Sequence, residues 1–574
     1  GRGTRGAVYR IRAKSRTADD LTSAGPLDAI LQAPQPLASW SRSQWWPKAR
    51  SLSREAFVDA ALEGKRPAAE RIRAIEVVTE LHGGLLPKTV HLLSAIEPAE
   101  VRARAIWSYG RTHTQNLDAE ILATYFQDVD PMVARAALET AQTLGPEADW
   151  PKLITPIASL LGSSDRYNRA LAAAVVARMP ESLLPTMSQA ATDHSARAVV
   201  SYAAGWLAHA GGDLARVRQA MSPVTIALLE GDYPPDLKLD ALRLVQWMLG
   251  DLGPSERHAA AFDGYAPGID PAELERDWDH LRIQLAELYP TNSPLIDTEL
   301  SRVLAMLSPV NQKLLDRILA PLTATSDPVE DIHQLLVAAR LPVPRTTDQR
   351  QRIAEALVRI DAKFTERKLP QDSAWNDRFK DLYKALASFD EFLAPVMVDV
   401  PGFGRPGHVL FMSEMPERRL NDAIEAFVKQ ISADADYPWN NDVIFLLGAS
   451  TNPGHRGLIR AQADRFAVRG AVLMTLAEQP QPEDRPLLVA GLESSQVEVV
   501  QACLSGLEAL PSSMESAEQL ALLKALRRLG ADEREFAARE RVVQLLQRNT
   551  GYETPYVFGK DGFRPQPEPI AAWT

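Results

Sequence analysis

The chain has 574 residues, 45% hydrophobic and 24% charged, with a formal net charge of −11 and one cysteine. That length calls for about three or four domain-sized units or one long repeat array, and the ordinary apolar fraction with well-mixed charge excludes disorder as the main state. A single Cys excludes a disulfide framework, a zinc site built on Cys pairs and covalent c-type haem, which needs Cys-x-x-Cys-His; the apolar runs stop short of the roughly 20 residues of a membrane span, and the acidic balance argues against a general nucleic-acid binder.

Taken in chain order, residues 1–12 open with a strand pattern. Ala7, Tyr9 and Ile11 alternate with Val8, Arg10 and Arg12, the period of two expected of a β-strand. A lone strand cannot satisfy its N–H and C=O groups, so residues 1–12 are expected to complete a sheet lying upstream. The basic residues Arg2, Arg5, Arg10 and Arg12 read as a solvated strand face. Residues 13–50 read as a linker holding Trp40, Trp45 and Trp46. Such a cluster serves either as a partner hot spot or as a staple onto the first helices.

Residues 51–215 show self-similarity. Arg73-Ala74, Arg104-Ala105, Arg135-Ala136, Arg169-Ala170 and Arg197-Ala198 follow at steps of 31, 31, 34 and 28. Turn signals precede the helical patterns: Glu97-Pro98, Asp130-Pro131, Ser163-Ser164-Asp165 and Thr192-Asp193. A period of about 30 with two helices per unit is the mark of HEAT-like repeats. Residues 216–395 read as less regular helical repeats, with helices expected over 281–288, 300–307, 329–339 and 353–364 and a repeat-like helix at Asp240–Trp247. Residues 396–460 read as a loop-rich insertion with helices, its 396–412 part a turn with short extended pieces. Residues 461–549 return to HEAT repeats. There Val500, Cys503, Leu504 and Leu507 fall on one helical stripe, which makes Cys503 a core residue and not a nucleophile. Residues 550–574 read as a linker towards a further C-terminal domain, because the apolar helix opening at 568–573 is too short to stand alone. The expected fold class is all-α, a HEAT-like α-solenoid of stacked helix pairs.

Chemical motifs are sparse. Gly402-Phe403-Gly404-Arg405-Pro406-Gly407 matches G-x-G-x-x-G, but Pro406 interrupts it and no helix is expected to start within it, so it reads as a structural turn and not a dinucleotide cradle. Glu273, Asp277, Asp279 and His280 could suggest a metal cluster, yet ligands on one straight helix rarely converge on one ion, and a solvated face is the better reading. His408 after Gly407 and His455 in Asn452-Pro453-Gly454-His455 are the best exposed-loop histidines, with structural hydrogen bonding the commoner role. No catalytic, cofactor or metal residue is assigned; Trp40, Trp45, Trp46, His408, Trp439 and His455 are the candidate interaction residues.

Several phrases together resemble a family. They are Gly6–Ile11, Pro34–Arg42, Asp331-Ile332-His333-Gln334-Leu335-Leu336, Phe403–Phe411, Asp436-Tyr437-Pro438-Trp439-Asn440-Asn441-Asp442 and Tyr556–Gly562. The whole is similar to the central HEAT-repeat region of large bacterial PVC-type haem-binding proteins. In that family a dehydrogenase-like β-propeller precedes the helical array and a c-type cytochrome domain follows it. The resemblance implies a periplasmic electron-transfer protein in which this segment joins two domains, holds no cofactor and does no chemistry itself; the c-type haem belongs to the C-terminal domain. Partners would be those flanking propeller and cytochrome domains and another protein, with no nucleic acid and no membrane insertion. Two other readings stand beside it: a free-standing HEAT-repeat adaptor gripping a protein or peptide, and, more remotely, a HEAT-like DNA glycosylase, which would need a basic channel.

Overall fold

The computed structural model describes residues 25–33, 42–96, 98–113, 117–209, 225–226, 228–250, 258–269, 276–529 and 533–552. The strand expected within 1–12, Trp40, Glu97, Glu273 and the segment 553–574 lie outside these residues. Among the described residues every regular element is a helix, so the chain is all-α and its helix pairs stack as a HEAT-like solenoid. The chain divides into two compact units. One holds the described residues up to 250 with 267–285 and 291–303; the other holds 258–266, 286–290 and the described residues from 304 onward.

The first unit contains α1 (Pro26–Leu31), α2 (Arg42–Ala49), α3 (Arg54–Leu62), α4 (Ala68–Leu81), α5 (Pro87–Leu93), α6 (Ala99–Thr112), α7 (Ala119–Phe126), α8 (Pro131–Ala141), α9 (Trp150–Leu161), α10 (Arg166–Val176), α11 (Leu184–His194), α12 (Ala196–His209) and α13 (Pro235–Met248). Helices α4, α6, α8, α10, α12 and α13 pack each on the next in one row, and α5, α7, α9 and α11 form the facing row. The first row opens at Ala68, Ala99, Pro131, Arg166 and Ala196, at steps of 31, 32, 35 and 30. Aspartates start α8 and α10: the Asp130 carboxylate accepts from the Met132 amide at 2.9 Å and Asp165 from the Tyr167 and Asn168 amides, both at 2.9 Å, satisfying N–H groups that the first turn leaves free. Ile75, Val78, Ile106, Leu138, Leu153, Ile157 and Val176 are wholly buried between the rows, each worth about 1.5–3 kcal/mol of transfer free energy.

Two details differ from the sequence reading. The Arg-Ala pairs are not equivalent positions. Arg73-Ala74 and Arg104-Ala105 sit one turn deeper in their helices than Arg197-Ala198 does; Ala74, Ala105 and Ala198 are buried, while Ala170 is exposed. The recurring device is the fourth helix residue, Arg71, Arg102 or Arg169. Arg71 Nε donates to Ala61 O at 2.9 Å, Arg102 Nη1 to Ile96 O at 2.9 Å and Arg169 Nη1 to Ser163 O and Ser164 O at 3.0 Å. Each guanidinium satisfies carbonyls that the end of the preceding element leaves open. Secondly, part of the stretch read as a linker is folded. Helices α1 and α2 fall within 13–50, and Ile30, Leu31, Trp45 and Ala49 belong to the same core as the repeats. Thr192-Asp193 is no turn either; it closes α11, and the Ser195 hydroxyl accepts from the Ala198 amide at the start of α12.

Helices α14 (Arg276–Leu288) and α15 (Pro294–Leu307) follow. The second unit then holds α16 (Gln312–Leu319), α17 (Pro328–Ala338), α18 (Thr347–Arg367), α19 (Trp375–Ser388), α20 (Leu393–Met397), a 3₁₀ helix Pro406–Glu414, α21 (Glu417–Ala433), α22 (Asn441–Gly448), α23 (Gly454–Arg460), α24 (Arg469–Glu478), α25 (Arg485–Gly491), α26 (Val497–Ala509), α27 (Ser516–Arg528) and α28 (Glu533–Thr550). The long α18 begins with a reciprocal capping box between Thr346 and Gln349. Helices α22, α24, α26 and α28 form one row, with α25 packed on α27 beside it. Cys503 is fully buried in this last core with Leu504, Leu507, Leu522 and Leu546, and burial pushes its thiol up to about 12.

The extended pieces expected at 396–412 are absent. Val396 and Met397 end α20, and residues 408–412 lie in the 3₁₀ helix. The β-like run of Val409, Leu410 and Phe411 misled because tertiary contacts, with only Phe411 and His408 turned inward, override local preference.

Candidate functional site

The row of α6, α8, α10, α12 and α13 carries an arginine–aromatic surface. The Arg104 guanidinium lies 4.6 Å from the Trp107 ring centre and Arg111 lies 5.1 Å from it. Arg135 and Arg166 flank the Tyr167 ring in the same way, at 4.7 and 4.8 Å. Cations over aromatic faces are attracted by the ring quadrupole. Between α10, α12 and α13 the surface sinks into a groove of about 270 Å³. Arg166, Arg169 and Ala173 come from α10, Val200 and Ala204 from α12, and Asp240, Arg243 and Trp247 from α13. Small residues, Ala170, Ala173, Ser201 and Ala204, line the groove between the arginines and Trp247. Gly205 brings α12 so close to α10 that a Cβ in its place would stand 2.5 Å from Ala173 O. Arg169 Nη2 meets Asp240 Oδ2 at 3.2 Å, and below it Arg197 holds Asp236 at 2.6 Å, keeping that carboxyl below its usual range. Sequence reasoning found the Asp240–Trp247 helix but not the groove. The signal available was Asp240, Arg243 and Trp247 at i, i+3 and i+7, one face of a helix.

The second unit holds several of its titratable groups inside. Lys363 Nζ is bonded to the Asp331 carboxylate, to Thr323 O at 2.7 Å and to Ser326 Oγ at 2.9 Å, and Asp331 is also the acceptor for Ser326 Oγ at 2.6 Å. Both ions are almost fully buried. Asp484, wholly buried, accepts from Arg460 Nε at 2.6 Å, from Arg456 and from the Gln481 amide at 2.8 Å. Burial alone would raise this carboxyl, but the two guanidiniums and the amide outweigh it and hold it below its ordinary value.

The glycine-rich segment forms a locked corner. The His408 ring Nδ1 accepts from the Gly404 and Arg405 amides at 3.0 and 3.1 Å, so its Nε2–H donates to Val358 O at 3.0 Å. Arg405 pairs with Asp361 at 2.6 Å, and the Tyr437 hydroxyl donates to Gly404 O at 2.9 Å. Gly404 has φ +108°, and a Cβ there would lie 2.6 Å from Ala426 O. These glycines serve a left-handed turn and a close backbone approach, the structural role read from the sequence.

The candidate interaction residues are scattered. His408 is 1% exposed and His455 4%, so neither is the exposed-loop histidine it was expected to be. Desolvation lowers the His408 ring to about 4. His455 sits in the first turn of α23, with its Nδ1 2.8 Å from Ser450 Oγ and its Nε2 3.2 Å from Asn452. Burial of both is sustained because every ring nitrogen finds a polar partner. Trp45 is buried in the first core; Trp46 is half-buried with Arg42 at 4.4 Å and Arg50 at 5.2 Å from its ring centre. Trp439 packs edge-on against Tyr437, ring centres 5.6 Å apart. Asp279 is exposed and paired with Arg282 at 3.2 Å.

No protein-family model matches the chain, and no curated protein is similar to it. Among solved structures it is similar to importin beta in an ammonium sulfate condition, with TM-score 0.38, 10% identity, and coverage of 91% of this chain and 82% of that one. It is similar to Kap95p in a structure with RanGDP, with TM-score 0.34, 11% identity, and 92% and 87% coverage. For Kap121p the values are 0.30, 12%, 92% and 74%. Likeness at this level carries no inference about function. The class that the chain's own geometry defines is an all-α, HEAT-like helical-repeat fold.

Proposed function

We propose that this chain is a non-catalytic helical scaffold that joins and positions a dehydrogenase-like propeller and a c-type cytochrome domain in a periplasmic electron-transfer protein. The observation that supports it most is where the ionisable groups are spent. Lys363 with Asp331, Asp484 with Arg456 and Arg460, and His408 with Val358 O each tie one helix or loop to another. Groups held in satisfied internal bonds fix a backbone; they are not poised to exchange protons with a substrate. Stacked repeats add length in fixed increments, so the array would set the distance between an oxidising site and a haem.

The coding sequence on either side is the first test. A propeller reading immediately upstream and a Cys-x-x-Cys-His domain downstream are the expected result. In the resulting full-length protein, inserting one further helix pair between α8 and α9 should slow haem reduction while leaving substrate turnover with an external dye unchanged. Dehydrogenase turnover by the 574-residue chain alone, or flanks without those domains, would overturn the proposal.

A further inference from the structure

The groove between α10, α12 and α13 is positive on a chain whose net charge is −11. Arg166, Arg169 and Arg243 face a single carboxylate within it, Asp240, which Arg169 already holds. The Arg243 side chain is 58% exposed and reaches Glu299 only in a long ion pair of 3.8 Å. Arg166 is exposed and, among the described residues, its one hydrogen bond is to the Tyr167 hydroxyl, at 2.8 Å. Trp247 forms a half-buried wall, with Val200 and Ala173 as apolar floor. A space of about 270 Å³ lies just below the range of sites for drug-sized ligands; it suits one or two side chains of a larger partner.

We propose that this groove docks an extended acidic segment of a partner protein, its carboxylates on Arg166 and Arg243 and an apolar side chain against Trp247. Spacing supports an extended chain. Neighbouring helices of a packed row stand about 8–10 Å apart, and an extended chain in the polyproline II form advances about 3.1 Å per residue with three residues per turn. Acidic residues at every third position then lie on one side about 9 Å apart, one helix spacing, so such a segment reaches from Arg243 across α12 to Arg166 and on towards Arg135. Charge complementarity of this kind sets specificity and on-rate. A polyanion with charge at every unit fits less well, because Asp165, Asp236 and Asp240 interrupt the positive surface. This surface is independent of the flanking-domain proposal and can fail or succeed alone.

The probe is a fluorescein-labelled dodecapeptide of repeated Glu-Phe-Ser, with Lys-Phe-Ser and a single-stranded thymidine oligonucleotide as comparisons, read by fluorescence anisotropy on the whole chain. The Glu peptide is expected to bind, to weaken with added salt, and to lose about tenfold or more in affinity in Arg166→Glu/Arg243→Glu. The same variant should gain affinity for the Lys peptide, which a folding defect would not produce, and Trp247→Ala should weaken the Glu peptide without changing its salt dependence. Equal binding of the Glu and Lys peptides, no binding of the Glu peptide up to about 1 mM, unchanged affinity in the charge-reversed variant, or tighter binding of the oligonucleotide would each overturn the proposal.

Discussion

Removing one partner of the Lys363–Asp331 pair should cost far more stability than removing both. In Asp331→Ala the Lys363 ammonium stays almost fully buried, keeping only Thr323 O and Ser326 Oγ as acceptors, and the Ser326 hydroxyl loses its carboxylate. Orphaning a buried ion costs about 3–5 kcal/mol; the two remaining acceptors place this case near 3. With a urea dependence of about 3 kcal/mol per molar, the midpoint for the second unit should fall by about 1 M. Lys363→Met alone should behave similarly, since it orphans Asp331. The double variant Asp331→Leu/Lys363→Met removes both charges; Thr323 O keeps the Ser326 hydroxyl as a donor, and the Ser326 hydroxyl loses its bonds to Asp331 and Lys363, about 1–2 kcal/mol. Urea titrations followed by circular dichroism, with hydrogen exchange over α17 and α18 to locate the loss, measure all three. Singles within 1 kcal/mol of the parent by the same order-of-magnitude reckoning, or a double variant costing the sum of the singles, would refute the argument that burial of an unpaired charge dominates here.

His408 gives a pH dependence of definite sign. Its ring is lowered from an ordinary 6.5 to about 4 by desolvation, so the unfolded chain binds the proton first as pH falls; stability is full above about pH 6.5 and declines towards pH 4. His408→Gln should flatten urea midpoints over that window and lower them at pH 7.5. Gly404→Ala should destabilise by about 2 kcal/mol or more, because it adds a side chain at positive φ against Ala426 O; thermal melts test this, and a neutral result would contradict the close approach. Cys503 should resist a thiol reagent in the folded chain and react only once α26 opens, since its thiol is buried and raised to about 12; fast labelling of the native protein would refute its burial.

Much of the architecture was legible in the sequence. Helices at Pro294–Leu307 and Thr347–Arg367 extend the apolar patterns read at 300–307 and 353–364, and Pro328–Ala338 matches that read at 329–339 to within one residue; the polar first turn of Thr347–Arg367 explains why its start was read late. Aspartates before prolines or apolar runs marked true N-caps at Asp130 and Asp165. The Cys503 stripe lies where helical spacing put it. These are local properties: periodicity, capping and the φ of proline act over a few residues and need no partner.

Whatever depended on distant partners was not legible. Arg102 closes on Asp128, Lys363 on Asp331, Arg405 on Asp361 and His408 on Val358 O, and nothing within a few residues of each announces the match. The same holds for the run 408–412, whose extended texture gave way to a 3₁₀ helix, and for His455, drawn from an apparent loop into the first turn of α23. The Arg243–Trp247 groove is lined by residues of three helices far apart in the chain. Composition and period thus determined the kind of protein, because repeats bury the same stripe again and again; the packed structure alone decided which charges meet and where a surface stays open, because those outcomes rest on angstrom distances between residues far apart in the chain.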